Sequence, residues 1–138
     1  MLNAWADFWQ NLTPDRISRV RALCTSDVRF VDPFNDLVGV ERMEAMLQHM
    51  FAALDTPRFV VIDRAMGEKA GYLRWEFTCR WSGNATSING MSEVSFAANG
   101  QVVSHRDHWD SGEQVYGRVP LLGSVIKLVK KRLSLPSS

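Results

Sequence analysis

The chain has 138 residues, 46% of them hydrophobic, and a formal net charge of +1 at pH 7. That length and composition suit one domain around one core, and the near-neutral charge makes no bulk electrostatic case for nucleic acid as a partner. The opening stretch MLNAWADFWQNL holds Asp7 and no basic side chain, unlike a secretory signal, and no apolar run approaches the ~20 residues that a bilayer crossing needs.

Leu2, Trp5, Trp9 and Leu12 recur at three- and four-residue steps, so the chain opens on a helix with one apolar stripe. Thr13-Pro14 restarts it, with Thr13 as cap and Pro14 at the first helical position, and Ile17, Val20 and Leu23 carry a second helix to Cys24. Val28 to Asp32 (VRFVD) reads as a short strand stopped by Pro33, and Asn35-Asp36 as turn chemistry. Gly39 precedes a third helix with the stripe Met43, Met46, Leu47, Met50 and Leu54.

After Pro57 the pattern turns to strands. Phe59 to Ala65 is mainly apolar and β-branched. In Gly71 to Trp81, the residues Leu73, Trp75, Phe77, Cys79 and Trp81 alternate with Arg74, Glu76, Thr78 and Arg80. Ser82-Gly83-Asn84 supplies a turn into a strand from Ser87 to Ala97. Asn99-Gly100 is a strong hairpin signal, after which Gln101 to Asp110 returns antiparallel. The tail repeats Leu122, Val125, Ile126, Val129 and Leu133 at helical spacing, offset from Lys127, Lys130, Lys131 and Arg132.

Helices gathered on one face of an antiparallel meander define an α+β domain. A strongly curved sheet wrapped over the N-terminal helices would give a cone with a largely apolar pocket, and such cavities are common binding sites. Residues 1–118 form the expected cone domain, and residues 119–138 a basic amphipathic helix. That tail has two readings: it closes the cone mouth or packs on a partner subunit, or it makes weak contact with an anionic membrane. Cys24 and Cys79 are far apart and form no CxxC, which reads as two buried reduced thiols in a cytoplasmic protein.

Three segments, FVDPFNDLVG (Phe30 to Gly39), the helix after it and FAANGQVVSHRDHWD (Phe96 to Asp110), resemble the nuclear transport factor 2-like superfamily, in particular its SnoaL-like and ketosteroid isomerase-like members. The resemblance covers almost all of residues 1–118 and implies a curved α+β cone. It also implies Asp32, before Pro33 at a strand end, as the base that moves a proton. Phe8 and Ser92 fall where ketosteroid isomerases carry the Tyr and the protonated Asp of their oxyanion hole; Phe8 has no hydroxyl, and losing one such donor costs roughly two to three decades in rate. The stretch His105 to Asp110 is similar to the RDxFD ending of limonene-epoxide hydrolases. That similarity implies an acid–base set of Asp107, Arg74 and Glu76, with Phe30 and Asp32 where those relatives hold the water. The extra methylene of Glu76, set against an Asp, would displace a water by about an ångström, worth ~10²-fold.

Arg74, Glu76, His105 and Asp107 are expected to share one concave sheet face, where two carboxylates beside one arginine separate acid and base roles. The alternative is an ion-pair network that only joins two strands. His108 and Asp110 then point outward. Leu73, Trp75, Phe77, Cys79 and Trp81 would lie outside the cone and call for a homodimer across the sheets. If instead that apolar face lines the cavity, the Arg74, Glu76 and Asp107 set falls apart. His105 and His108 face opposite ways, so no metal site is expected, and there is no GxSxG elbow. The expected activity is binding of an apolar oxygenated small molecule, with Phe8, Phe30, Ser92, His105 and Trp109 as ligand contacts. Cofactor-free isomerisation, cyclisation or epoxide opening is the expected chemistry. A non-catalytic ligand-binding or protein-interaction module and a peripheral lipid-binding protein are the alternatives.

Overall fold

A computed structural model describes residues 1–136. The last two residues of the expected 119–138 tail, 137 and 138, lie outside the described residues. Helix α1 (Leu2–Gln10) buries Leu2, Trp5 and Trp9 of the expected stripe and Phe8 besides, and Leu12, the stripe's last residue, is buried just past the helix end. Thr13-Pro14 does restart the chain, but into a 3-10 turn (Pro14–Arg19) that becomes α-helical only in the single turn α2 (Val20–Leu23). Strand β1 (Cys24–Val31) begins where α2 ends, four residues before the expected strand.

Asp36 is not in a turn. It belongs to a short strand, β2 (Asp36–Val38), antiparallel to β1, and its carboxylate takes both Arg29 Nε (2.9 Å) and Nη2 (2.7 Å) across the pair. Gly39, at φ 108, turns the chain into α3 (Val40–Ala53) with a backbone conformation that side chains disfavour.

The meander follows: β3 (Asp55–Met66), β4 (Gly71–Trp81), β5 (Asn84–Phe96) and β6 (Val102–His108). The six strands form one sheet in the order β2-β1-β6-β5-β4-β3. It is mixed, because β6 pairs antiparallel with β5 and parallel with β1. Register shifts in β1, twice in β3, and between Ser95 and Phe96 kink the strands and bend the sheet around α1 and α3.

Cross-strand register fixes which side chains look inward. Leu73 stands opposite Ser92, Ser92 opposite Asp107, and Val94 opposite His105, so these five share a face. That inner face buries Leu73, Trp75, Phe77 and Cys79 against the helices. Arg74 and Glu76 therefore lie on the outer face, and the apolar face of β4 is the interior rather than an exposed patch in need of a partner. A chain tail of α4 (Ser111–Gln114), a 3-10 turn (Tyr116–Arg118) and α5 (Leu122–Leu133) completes the fold.

Candidate functional site

Between the inner face of β4–β6 and helix α3 lies a cavity of about 900 Å³, walled mainly by apolar side chains. Helix α3 divides its work by periodicity. Met43 and Leu47 are fully buried in the core, while Arg42, Met46, His49 and Met50, offset around the helix, line the cavity. Phe59, Trp75 and Phe77 form the opposite wall, and Phe34, Trp109 and Tyr116 belong to its aromatic end, with Trp109 edge-on to Phe34 at 5.5 Å.

Asp107 stands in this wall with its side chain 12% exposed. Its Oδ1 accepts two hydrogen bonds, from Ser92 Oγ at 2.6 Å and from His105 Nε2 at 2.8 Å. The direction of both is fixed from behind by tryptophans, whose indole N–H can only donate. Trp5 Nε1 donates to His105 Nδ1 (3.0 Å), so that nitrogen is the acceptor and the ring proton sits on Nε2, aimed at Asp107. Trp75 Nε1 donates to Ser92 Oγ (2.8 Å), so the Ser92 hydroxyl hydrogen is released toward Asp107. Phe30 stacks on the imidazole at 5.2 Å and Trp9 packs on it at 5.2 Å, holding the ring plane.

No protein group among the described residues bonds Oδ2 of Asp107, and the only fully buried side-chain polar atom left without a partner is Trp9 Nε1. Oδ2 is thus neither bonded by the protein nor fully buried, in a carboxylate that borders the cavity. Behind Asp107 lies a second void of about 10 Å³, bordered by Trp9, Ser92, His105 and Asp107. That is close to the room one water needs, with a donor and an acceptor in its walls.

The other expected residues are placed differently. Asp32 lines the cavity, but its Oδ1 accepts the backbone N–H groups of Phe34 and Asn35 at 2.7 Å each, and the Asn35 amide reaches both carboxylate oxygens at 3.0 and 3.1 Å. Arg74 and Glu76 do not meet Asp107. Glu76 accepts from Ser87 Oγ (3.0 Å) on the outer face, where His108 pairs with Glu93 at 3.6 Å. Phe8 borders neither cavity and stacks on Trp5 at 5.1 Å, so its place is in the core behind the site. Phe30, Ser92 and His105 support Asp107 without reaching the large cavity, whereas Trp109 lines it. Asp110 caps α4, accepting from the Glu113 N–H at 3.0 Å.

Sequence reasoning passed over Arg42 and His49. Their signal was the helical spacing 42, 46, 49, 53, a face of α3 one step around from its apolar stripe. It also passed over the two tryptophan donors, which no spacing reveals because Trp5 and His105 are a hundred residues apart. Burial pushes the Cys79 thiol up from its ordinary value and that of Cys24 to about 12, so both are protonated thiols at neutral pH and poor nucleophiles. Among the described residues no three His, Cys, Asp or Glu side chains gather as a metal site, and no helix is long and apolar enough to cross a membrane.

A family model described as a SnoaL-like domain matches residues 3–105. No curated protein matches the sequence. Solved structures match in fold. An NTF2-like protein of unknown function from Burkholderia pseudomallei is 15% identical over 83% of this chain and 91% of its own, with a TM-score of 0.70. A ketosteroid isomerase-like protein from Catenulispora acidiphila, in complex with trimethylamine, is 13% identical over 83% and 88%, with a TM-score of 0.69. An LEH-like epoxide hydrolase from M. tuberculosis is 16% identical over 93% and 91%, with a TM-score of 0.66.

Proposed function

The chain belongs to the SnoaL-like domain family, and from that premise we propose that it binds an apolar, oxygenated small molecule in the 900 Å³ cavity and moves a proton on it with Asp107. One observation carries this reading: a carboxylate in the cavity wall has one oxygen fixed by two oriented donors and the other free of protein partners among the described residues. A base is efficient when its geometry is set before the substrate arrives. With an enolisable ketone, Oδ2 takes the α-proton, the C–H electron pair moves into the carbonyl to give an enolate, and the proton returns to the α carbon or, where a C=C bond extends the enolate, to its γ carbon. With an epoxide, Oδ2 takes a proton from a water whose oxygen bonds to a ring carbon as that carbon's bond to the ring oxygen breaks, and the alkoxide so formed is protonated from the cavity wall or by water. Arg42, His49 and Tyr116, all in the cavity wall, are among the groups able to donate to an oxygen of the ligand. The chemistry needs no cofactor.

The test is deuterium incorporation from D2O into a panel of enolisable ketones, run beside hydrolysis of a panel of apolar epoxides. Turnover on either panel that falls ~10²-fold or more in Asp107→Asn is the expected result. The substitution keeps an acceptor oxygen for Ser92 and His105 and replaces only the open oxygen by an amide. Turnover that survives it would remove Asp107 from the chemistry.

A second reading has its own support. The other carboxylate in the cavity wall, Asp32, is consumed by its own turn, so no second carboxylate acts with Asp107. A binding module without turnover follows if the panels stay silent while an apolar dye such as anilinonaphthalene sulfonate is bound and quenches tryptophan emission.

We propose as well that two copies pair across the outer sheet face, where Val60, Ile62 and Met91 stand exposed beside Arg74 and Glu76. Analytical ultracentrifugation decides this; a monomer at all concentrations refutes it. We place the protein in the cytoplasm on the strength of its two buried unpaired cysteines. Two titratable thiols in protein unfolded without reductant are expected, and none would argue for an oxidising compartment.

A further inference from the structure

Helix α5 carries an apolar face that the fold does not cover. Its chief packing partner is the Tyr116–Arg118 turn, where Gly123 lies so close to the Gly117 backbone that a Cβ would overlap it. One ion pair, Lys130 to Glu113 at 3.0 Å, adds to that anchor. Beyond it Val125, Val129 and Leu133 stand 57%, 51% and 83% exposed, flanked by Leu121 and Leu135 at 84% and 93%. A soluble surface rarely leaves so many large apolar side chains together without a partner.

The charges choose among partners. At about 100° per residue, Leu122, Val125, Ile126, Val129 and Leu133 form one stripe, with Lys130 on one edge and Arg132 on the other. Lys127 and Lys131 lie further round the polar side. The helix holds four of the chain's 16 basic residues and none of its 15 acidic ones, so the rest of the chain is net acidic. An apolar stripe bordered by cations on both edges is the layout of a helix lying in a lipid interface, with apolar side chains among the acyl chains and cations at the headgroups. The opposite charge of the remaining chain turns this end toward an anionic surface and the other end away.

We infer that α5 docks the protein on anionic membranes through Val125, Val129 and Leu133, with Lys127, Lys131 and Arg132 at the headgroups. The contact sits next to the cavity, because Tyr116 lines the cavity and belongs to the turn on which α5 rests. The docking itself holds whether or not Asp107 catalyses anything.

The experiment is co-sedimentation of the full chain with phosphatidylcholine vesicles and with equimolar phosphatidylcholine–phosphatidylglycerol vesicles, at low and high salt. Binding to the anionic vesicles alone, weakened by salt, is expected. Val129→Glu and Leu133→Glu, both at exposed positions, should each lower that binding about tenfold or more while leaving thermal unfolding unchanged. Lys131→Glu should lower it too and make the remainder less sensitive to salt. Absence of binding to anionic vesicles would overturn the inference, and so would binding that Val129→Glu leaves intact. If Leu133→Glu instead dissociates a dimer in ultracentrifugation and the wild type ignores vesicles, the face belongs to a second copy of the chain.

Discussion

Asp107 and Asp32 border the same cavity, and the fold treats them in opposite ways. Asp107 is the penultimate residue of β6, paired with Ser92 of β5, and nearly everything that holds it comes from elsewhere in the sequence: Ser92 from β5, Trp75 from β4, Trp5 from α1, with only His105 on its own strand. Asp32 sits just past the end of β1, and everything that holds it lies within three residues. A carboxylate satisfied by its own turn is a structural element, spent on keeping backbone N–H groups paired. A carboxylate held on one oxygen by distant, oriented donors keeps its other oxygen for something else. Both are Asp in the cavity wall; the difference lies in who supplies the hydrogen bonds.

The largest expected effect breaks that comparison directly. In the ketone-exchange and epoxide panels, Asp107→Asn should lose ~10²-fold or more, whereas Asp32→Asn, whose amide oxygen can still accept from Phe34 and Asn35, should stay within about threefold of wild type. Equal losses would mean that Asp32 leaves its turn when a ligand binds. A smaller effect sharpens the comparison from the supporting side. Ser92→Ala takes one donor from Asp107 and strands the buried Trp75 N–H, so it should cost about 1–3 kcal/mol in urea unfolding and about tenfold in rate. The diagnostic is that its loss appears in kcat with KM little changed, because Ser92 orients the base without touching the large cavity. A loss confined to KM would make Ser92 a ligand contact instead.

Much of the fold was legible because its signals are local. The apolar steps of Leu2, Trp5 and Trp9, the alternation from Leu73 to Trp81 and the Asn99-Gly100 hairpin each fix an element within a dozen residues of chain, and SnoaL-like features around Phe30 to Gly39 pointed to the architecture that the family match and the neighbouring folds show. The site was less legible because it depends on register. Alternation tells which residues of one strand share a face; it does not tell which face of the next strand joins them. The two-residue turn at Ser82-Gly83 pairs Trp81 with Asn84, and the shift opposite Ser95 and Phe96 then inserts one extra residue, Val103, within β6. That single step puts Asp107 with Trp75 rather than with Arg74 and Glu76. The apolar half of β4 was the available clue, since Leu73, Trp75, Phe77 and Cys79 belong in a core. Gly90 was another: it faces Trp75, and a Cβ there would overlap the indole that reaches across to Ser92.

A third carboxylate sets the lower end of the scale. Asp36 is solvent-exposed and held by a cation rather than by turn or core, and the hydrogen bonds from Arg29 draw its carboxyl below the ordinary value of 3.8, the attraction of the same guanidinium adding to them. A carboxyl whose value is lower folded than unfolded stabilises the fold while ionised. Its contribution is therefore whole above 3.8 and disappears as pH falls through the depressed folded value. Asp36→Asn should shift the urea midpoint slightly near neutral pH, as exposed ion pairs do, and the shift should vanish in acid where wild type has itself lost the charge. High salt at neutral pH should shrink it as well. A difference that persisted in acid would mean that the Asp36 side chain acts through its hydrogen bonds in the β1–β2 pair whatever its charge, which would bring it closer to Asp32 than to an ion pair.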